Sequence, residues 1–403
     1  MDREFENILI KEIVRQNESI VLIASENYAS KSVRTAQGSI FTNKYAEGYP
    51  GKRYYGGCEY VDQIEILAIQ RAKDLFGAEH VNVQPHSGAQ ANMAVYSALF
   101  DSKSVIMSLP LDQGGHLTHG SKVNFSGNLY NFEFYNVDRE TEQIDYEALE
   151  KHAQTVNPQA ILSGFTAYPR EIDFERIKSI CKKIDCMMIV DMAHISGLVA
   201  AKLHSDCVKY ADVVTSTTHK TLRGPRGGII LSKNIYAESI DKAVFPNIQG
   251  GPMMHTIGAK AVAFAEASTN EFVNYQKLVI SNAKLLGKLL SAEGLRIVTG
   301  DTDTHMILVD VTPFNLTGKI AEEKLAEVGL IVNRNTIPYD SNPPRVASGI
   351  RIGTPAISTR GMNAEAISII VDCIIGILKE KEESKLIKNK VKELANKFPI
   401  DLK

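Results

Sequence analysis

Residues 187–194 read Met187-Met188-Ile189-Val190-Asp191-Met192-Ala193-His194, and the fold turns on that stretch. Four apolar residues in a row, without alternation, describe a short strand buried on both faces, as strands of parallel sheets are. The run ends on a carboxylate, and the carboxyl ends of strands in open α/β sheets are where ligands bind. Working outward, runs of the same kind stand at Val105-Ile106-Met107, Ala160-Ile161-Leu162, Ala211-Asp212-Val213-Val214 and Gly228-Ile229-Ile230-Leu231. Helix-length segments separate them, so an α/β fold with a mostly parallel mixed sheet is expected between about residues 80 and 235.

Further out, Phe5, Ile8, Leu9 and Ile13 share one helical face, which describes an amphipathic helix packed on something larger. From Asn43 to Tyr60 the chain is rich in Gly and Tyr and has neither period; long ordered loops of that kind tend to be functional. An Ala-rich helical pattern from Thr256 to Ala267 leads to a smaller C-terminal α+β domain, closed by the charged amphipathic run Lys379 to Phe398. The expected layout is an N-terminal helical arm over 1–40, a large α/β domain over 41–268 and a small domain over 269–403.

Composition narrows the function class. At 403 residues, 44% apolar and 23% charged, the chain has the usage of a globular protein large enough for two or three domains, not of a disordered or fibrous one. A formal charge of −2 supplies no net field toward nucleic acid or anionic membrane. Five cysteines without C-x-x-C spacing suggest neither a disulfide framework nor a zinc knuckle, and the polar, acidic start does not read as a targeting peptide. A cytoplasmic protein with no membrane or nucleic-acid partner is expected.

The chemistry begins with Asp191 and, twenty-nine positions on, Lys220 in Thr218-His219-Lys220, just past the strand that starts at Ala211. A carboxylate and a lysine at the ends of sheet strands are what a pyridoxal phosphate enzyme requires. The amine joins the aldehyde as an imine, and the carboxylate keeps the pyridine nitrogen protonated. The plainer alternative makes Asp191 a helix cap and Lys220 a solvated loop lysine. Ser87-Gly88-Ala89-Gln90, opening a helix-prone segment, offers a hydroxyl, close backbone approach and free N–H groups to a phosphate; it is equally an ordinary capping box. Between glycines, His116 suits a place flat against a cofactor ring. With His119 it also has ligand spacing, but no carboxylate stands nearby in sequence, and no metal is expected. Glu47 in the Tyr-rich loop is a candidate proton-transfer group or a surface acid. Arg351, within Ser348-Gly349-Ile350-Arg351-Ile352-Gly353, suits a bidentate grip on a substrate carboxylate or a structural salt bridge.

Taken together, Leu22 to Asn27, Tyr45 to Tyr60, Pro85-His86-Ser87-Gly88, Gly114 to Gly120, Asp191 to His194, Thr218-His219-Lys220, Gln249-Gly250-Gly251-Pro252 and Gly349-Ile350-Arg351 resemble serine hydroxymethyltransferase, block by block and in order. The resemblance implies a fold-type I, aspartate aminotransferase-like pyridoxal phosphate enzyme, a homodimer with shared sites, working in one-carbon and amino-acid metabolism. It would transfer the serine hydroxymethyl group reversibly to tetrahydrofolate, giving glycine and 5,10-methylenetetrahydrofolate. By the same resemblance Lys220 carries the cofactor, Asp191 faces its ring nitrogen, His116 stacks, His194 supports the ring, and Thr166 reaches the ring oxygen. Ser87, Gly88 and Ala89, with Tyr45 and Gly251 of a neighbouring subunit, would surround the phosphate. Arg351 would clamp the substrate carboxylate near Ser25 and the neighbour's Tyr55. Glu47, reaching in from the neighbouring subunit, would move protons near the substrate hydroxymethyl group and folate, and His219 would tune the surroundings of Lys220. Leu111, Gly115 and Asn335 would meet folate.

The chain departs from many relatives at Ala89, where a serine hydroxyl is lost, and at Pro169, in Thr166-Ala167-Tyr168-Pro169, which would redirect that loop. Two alternatives share the fold: a folate-independent aldolase acting on threonine or allo-threonine, and a catalytically idle binding protein contacting RNA.

Overall fold

The computed structural model describes residues 2–400. They divide into two compact units, one running from Ala29 to Asn274, the other combining the chain up to Tyr28 with the chain from Tyr275 onward. The segment expected as a separate arm over 1–40 is therefore split between the two, and the second division falls six residues beyond the expected 268.

In the first unit, β1 (His80–Asn82), β2 (Val105–Ser108), β3 (Asn131–Phe134), β4 (Ala160–Ser163), β5 (Met187–Asp191), β6 (Val213–Thr217) and β7 (Gly228–Ser232) form one sheet in the order β1-β7-β6-β5-β4-β2-β3. All pairs from β6 to β3 are parallel; β7 runs antiparallel to both its neighbours. The five apolar runs of the sequence are all strands. Two more were missed: β1 is only three residues long, and edge strand β3, Asn-Phe-Glu-Phe, alternates exposed and half-buried residues instead of being apolar throughout. The central strands are buried on both sides: Ile161, Leu162, Ile189 and Val190 have no accessible surface, each contributing roughly 1.5–3 kcal/mol on burial.

Helix α1 (Arg3–Glu18), capped by Asp2, has the expected apolar stripe but no buried residue. Phe5, Ile8 and Leu9 are exposed and only Ile13 is half-covered, so within this chain the stripe meets too little surface to be buried. The Tyr-rich segment is not featureless: Gly48–Tyr49 and Lys52–Arg53 pair as a small hairpin before α2 (Glu59–Phe76). Ser87 caps α3 (Gly88–Leu99), and Asp173 caps α4 (Phe174–Lys183). The Ala-rich pattern forms α5 (Met254–Ala267), followed by α6 (Asn270–Ala292).

The second unit is built on β8 (Arg296–Ile297), β9 (Met306–Asp310), β10 (Asn333–Asn335) and β11 (Gly349–Gly353), an antiparallel sheet in the order β8-β9-β11-β10. Its core takes Ile307, Val309, Ile350 and Ile352 from the sheet and Ile367, Ile370 and Ile374 from helix Ala364–Leu378. Ile20 and Val21 pair in parallel with Leu330 and Ile331, which ties the start of the chain to this unit. Among the described residues no helix is long and apolar enough to cross a membrane.

Candidate active site

The site is assembled where β5 and β6 end. Asp191 is the last residue of β5 and pairs in register with Thr215 of the adjacent parallel strand; Lys220 follows three residues after β6 stops at Thr217. The two strand ends are stitched together: Met192 N–H donates to Thr215 O (2.9 Å), Gly197 N–H to Thr221 Oγ1 (2.9 Å) and Thr221 Oγ1–H to His194 O (2.9 Å). Asp191 and Lys220 are each only 8% exposed, which rules out the solvated-lysine alternative.

Asp191 is not a helix cap, since Ile195 precedes the next helix, Ser196–Ala200, with no side-chain cap bond. Its Oδ1 accepts from Ala193 N–H (3.0 Å), while Oδ2 accepts from Asn92 Nδ2 (2.9 Å) and His119 Nε2 (3.2 Å). Burial alone would raise its pKa, but the hydrogen bond from His119, with His116 and Asn92 adding to it, holds the carboxyl well below the usual range. The sequence reading missed these supports. Asn92 and His119 lie 99 and 72 residues from Asp191, and no local pattern links them.

The two histidines have distinct tautomers set by their neighbours. His119 Nδ1 accepts from His116 N–H (3.3 Å), so Nε2 carries the proton aimed at Asp191. His116 Nδ1 accepts from Thr118 N–H (3.2 Å) and from the Thr118 hydroxyl (2.7 Å), which fixes its ring. The fold does bring a carboxylate beside the pair: ligating atoms of His116, His119 and Asp191 lie within 4.8 Å of one another. Each Nδ1 lone pair already accepts a hydrogen bond, however, and the His119 Nε2 proton is donated to Asp191, so the set works as a hydrogen-bonded network.

Ser87 Oγ accepts from Gln90 N–H (3.2 Å), which realises the capping half of the motif and points the first N–H groups of α3 out of the helix start. Around that start there is room only for glycine. A Cβ on Gly88 would stand 2.7 Å from Thr217 Cγ2, and one on Gly228 would stand 2.4 Å from Ser87 O. The segment from β1 into α3 is held to β7 by Lys260 of α5, which is fully buried and donates to Val83 O (2.6 Å), Pro85 O (3.1 Å) and Gly228 O (2.7 Å). Gln249 holds the same segment through Gln84 O (3.0 Å) and His86 N–H (3.0 Å).

Other expected residues fall around these elements. His194 is buried in the loop after β5, and His219 beside Lys220 has its pKa lowered to about 3 by burial, then by the charges of Arg226 and Lys220, so it is neutral at ordinary pH. Thr166 Oγ1 donates to Gly115 O (2.8 Å), which joins the loop after β4 to the Gly114–Gly115 turn; Gly115 is buried, Leu111 and Ala89 are exposed. Glu47 accepts from the hydroxyls of Tyr45 (3.3 Å) and Tyr55 (3.2 Å), and a Cβ on Gly251 would touch the Tyr45 ring at 3.1 Å, so Tyr45, Glu47, Tyr55 and Gly251 form one cluster. Arg53 holds that loop through Ala46 O (2.9 Å), Gly48 O (2.8 Å) and the buried Glu65.

Ser25, Asn335 and Arg351 belong to the second unit. There Arg351 lies on β11, 9% exposed, its Nε donating to Asn333 Oδ1 (3.2 Å); burial lowers its pKa to about 10, and it stays charged at neutral pH. Gly353 N–H donates to Leu22 O (2.7 Å), which sets the Ser25 turn beside the same strand. Asn335 Nδ2 donates to Thr336 O (2.7 Å).

The donor set of the first unit fits pyridoxal phosphate. An ionised buried carboxylate suits a protonated ring nitrogen, a buried primary amine suits an aldehyde, a fixed imidazole offers a flat face, and a capped helix start walled by glycines suits a phosphate. A sequence model of the family described as serine hydroxymethyltransferase matches residues 1–374. That family has the fold-type I architecture, in agreement with the seven-stranded mixed sheet. By that match the chain belongs to the serine hydroxymethyltransferase family of pyridoxal-phosphate-dependent transferases.

Proposed function

We propose that this enzyme transfers the hydroxymethyl group of serine reversibly to tetrahydrofolate, giving glycine and 5,10-methylenetetrahydrofolate, as a cytoplasmic homodimer. What carries the reading is the ionised Asp191 and the buried Lys220 at the ends of adjacent parallel strands, beside the glycine-walled start of α3. Pyridoxal phosphate, when bound, supplies an electron-poor ring that takes up the electron pair left on the amino acid when its side-chain bond breaks.

The protein's share is anchoring, orientation and proton traffic. Lys220 supplies the anchoring amine. Asp191 supplies the negative charge that keeps the ring nitrogen protonated, and His116 and His194 confine the ring, with Thr166 at its oxygen. Ser87, Gly88 and Ala89, together with Tyr45 and Gly251 of the partner subunit, hold the phosphate. Arg351, with Ser25 and the partner subunit's Tyr55, binds the substrate carboxylate. The partner subunit's Glu47, between the hydroxyls of Tyr45 and Tyr55 of its own chain, takes and returns the proton of the substrate hydroxymethyl group. His219, neutral at working pH, adds no positive charge beside Lys220. Folate rests on Leu111, Gly115 and Asn335.

Replacing Lys220 with Ala tests the assignment. Serine turnover with tetrahydrofolate should fall by roughly 10³-fold or more, and the visible absorption of the purified protein should change. Undiminished turnover would refute it. Ready cleavage of allo-threonine combined with serine turnover indifferent to tetrahydrofolate would instead identify a folate-independent aldolase.

A further inference from the structure

We propose that Cys181 and Cys186 form an oxidant-sensitive dithiol, in which peroxide attacks at Cys186 and Cys181 resolves the product to an intramolecular disulfide. The pair is created by the way α4 ends. Ile184 N–H donates to Ile180 O (3.3 Å), Asp185 turns left-handed at φ 54°, and Cys186 N–H donates back to Cys181 O (3.0 Å). That is the helix-ending turn in which the sixth residue bonds back to the first, and it brings the side chains of those two residues into contact. The positions usually hold apolar residues; here both are free thiols, and Cys181 Sγ–H donates to Met187 O (3.7 Å).

Their surroundings divide the labour. Cys186 is half-exposed, Cys181 is fully buried, and both line a surface pocket of about 650 Å³ with Lys178, Asp185 and Asp212. The adjacent Cys181 side chain, a backbone N–H from Ile161 and the Lys178 charge hold the Cys186 pKa below its ordinary value, although burial and Asp212 oppose them. The adjacent Cys186, then burial, pushes Cys181 up. A more acidic, reachable thiol beside a buried partner is the arrangement of a peroxide-sensing pair. The other cysteines lack it: Cys207 and Cys373 are single thiols whose burial raises their pKa, and Cys58 donates to Tyr55 O.

The chemistry balances with hydrogen peroxide as the named oxidant. The Cys186 thiolate attacks one peroxide oxygen, the O–O bond breaks, and hydroxide leaves and is protonated to water. Cys181, giving up its proton, then attacks the Cys186 sulfur, the S–O bond breaks, a second water leaves and the S–S bond forms. The two thiols lose two electrons in all and the peroxide gains them. The pair sits where β5 begins, whereas Asp191 is where β5 ends, about 16 Å away along the strand.

The test uses the holoenzyme treated with hydrogen peroxide, blocked with iodoacetamide and cut with trypsin. Cleavage after Lys178, Lys182, Lys183 and Lys202 separates the cysteines, so the disulfide appears as peptide Ser179–Lys182 joined to Ile184–Lys202, lost on reduction. In Cys181→Ser, Cys186 should stop as a sulfenic acid that dimedone labels. In Cys186→Ser, oxidation of Cys181 should slow roughly tenfold or more. Full alkylation of both cysteines after peroxide, or Cys58 reacting ahead of Cys186, would overturn the proposal, and the wild-type protein alone decides that even if a variant fails to fold.

Discussion

Replacing Asp191 with Asn changes one oxygen to an amide and leaves the shape nearly intact, so its cost can be worked out bond by bond. The carboxylate accepts from three buried donors: Ala193 N–H on Oδ1, and Asn92 Nδ2 and His119 Nε2 on Oδ2. An asparagine has one acceptor oxygen. If that oxygen faces Asn92 and His119, its amide opposes Ala193 N–H, donor against donor. If it turns the other way, two donors are opposed instead. His119 cannot adapt by switching tautomer without losing the His116 N–H at its Nδ1, and Asn92 cannot flip without losing the Thr215 hydroxyl on its Oδ1 (2.6 Å). The better orientation thus orphans one buried donor, at about 1–3 kcal/mol, and reduces two charge-assisted bonds to neutral ones, at about 0.5–1 kcal/mol each. A loss of about 2–5 kcal/mol is expected. Urea unfolding of the cofactor-free protein reads it as a lower midpoint at unchanged slope. Stability within about 0.5 kcal/mol of wild type, inside the range of a neutral surface change, would refute this account of the network.

Lys260 should make stability depend on pH. Burial lowers its pKa from 10.5 in the unfolded chain to about 7, so between those values the unfolded state holds more protons and stability rises with pH. The increment is complete above the unfolded value and is lost as pH falls toward and through 7. Wild type should therefore gain about 2–3 kcal/mol from pH 6 to pH 9 relative to Lys260→Met, and a flat difference curve would contradict it. Gly228→Ala would drive a Cβ to 2.4 Å from the Ser87 carbonyl oxygen. The start of α3 must move, and affinity for added pyridoxal phosphate should weaken about tenfold or more, an effect of about 1.4 kcal/mol; an unchanged titration curve would show that the glycine is not part of the cradle.

Much of this was legible in the chain. The central strands announced themselves because a strand covered on both faces must be apolar throughout, as Ala160 to Ser163 and Met187 to Val190 nearly are. Edge strand Asn131–Phe134 and the three-residue His80–Asn82 carried no such signal, since one is half-solvated and the other too short to show a period. The Lys220 and Asp191 assignments followed from their places after strands, which depend on local order. The apolar stripe of Arg3–Glu18 was legible too, but periodicity reports a face and not what covers it; Phe5 and Ile8 remain exposed.

The supports of the site could not be read in the same way. Asn92 and His119 reach Asp191, and Lys260 reaches Val83, across separations of 72 to 177 residues. A lysine inside an Ala-rich helix reads as a surface residue until the fold wraps three carbonyls around it. By itself the sequence determined the central strands, the main helices and the residues that stand at their ends, because helix and strand periods and caps are local properties of the backbone. Only the tertiary structure decided which donors meet the carboxylate and which carbonyls meet the buried ammonium, because a buried charge is satisfied by whatever the packing brings within about 3 Å, however far away it lies in the chain.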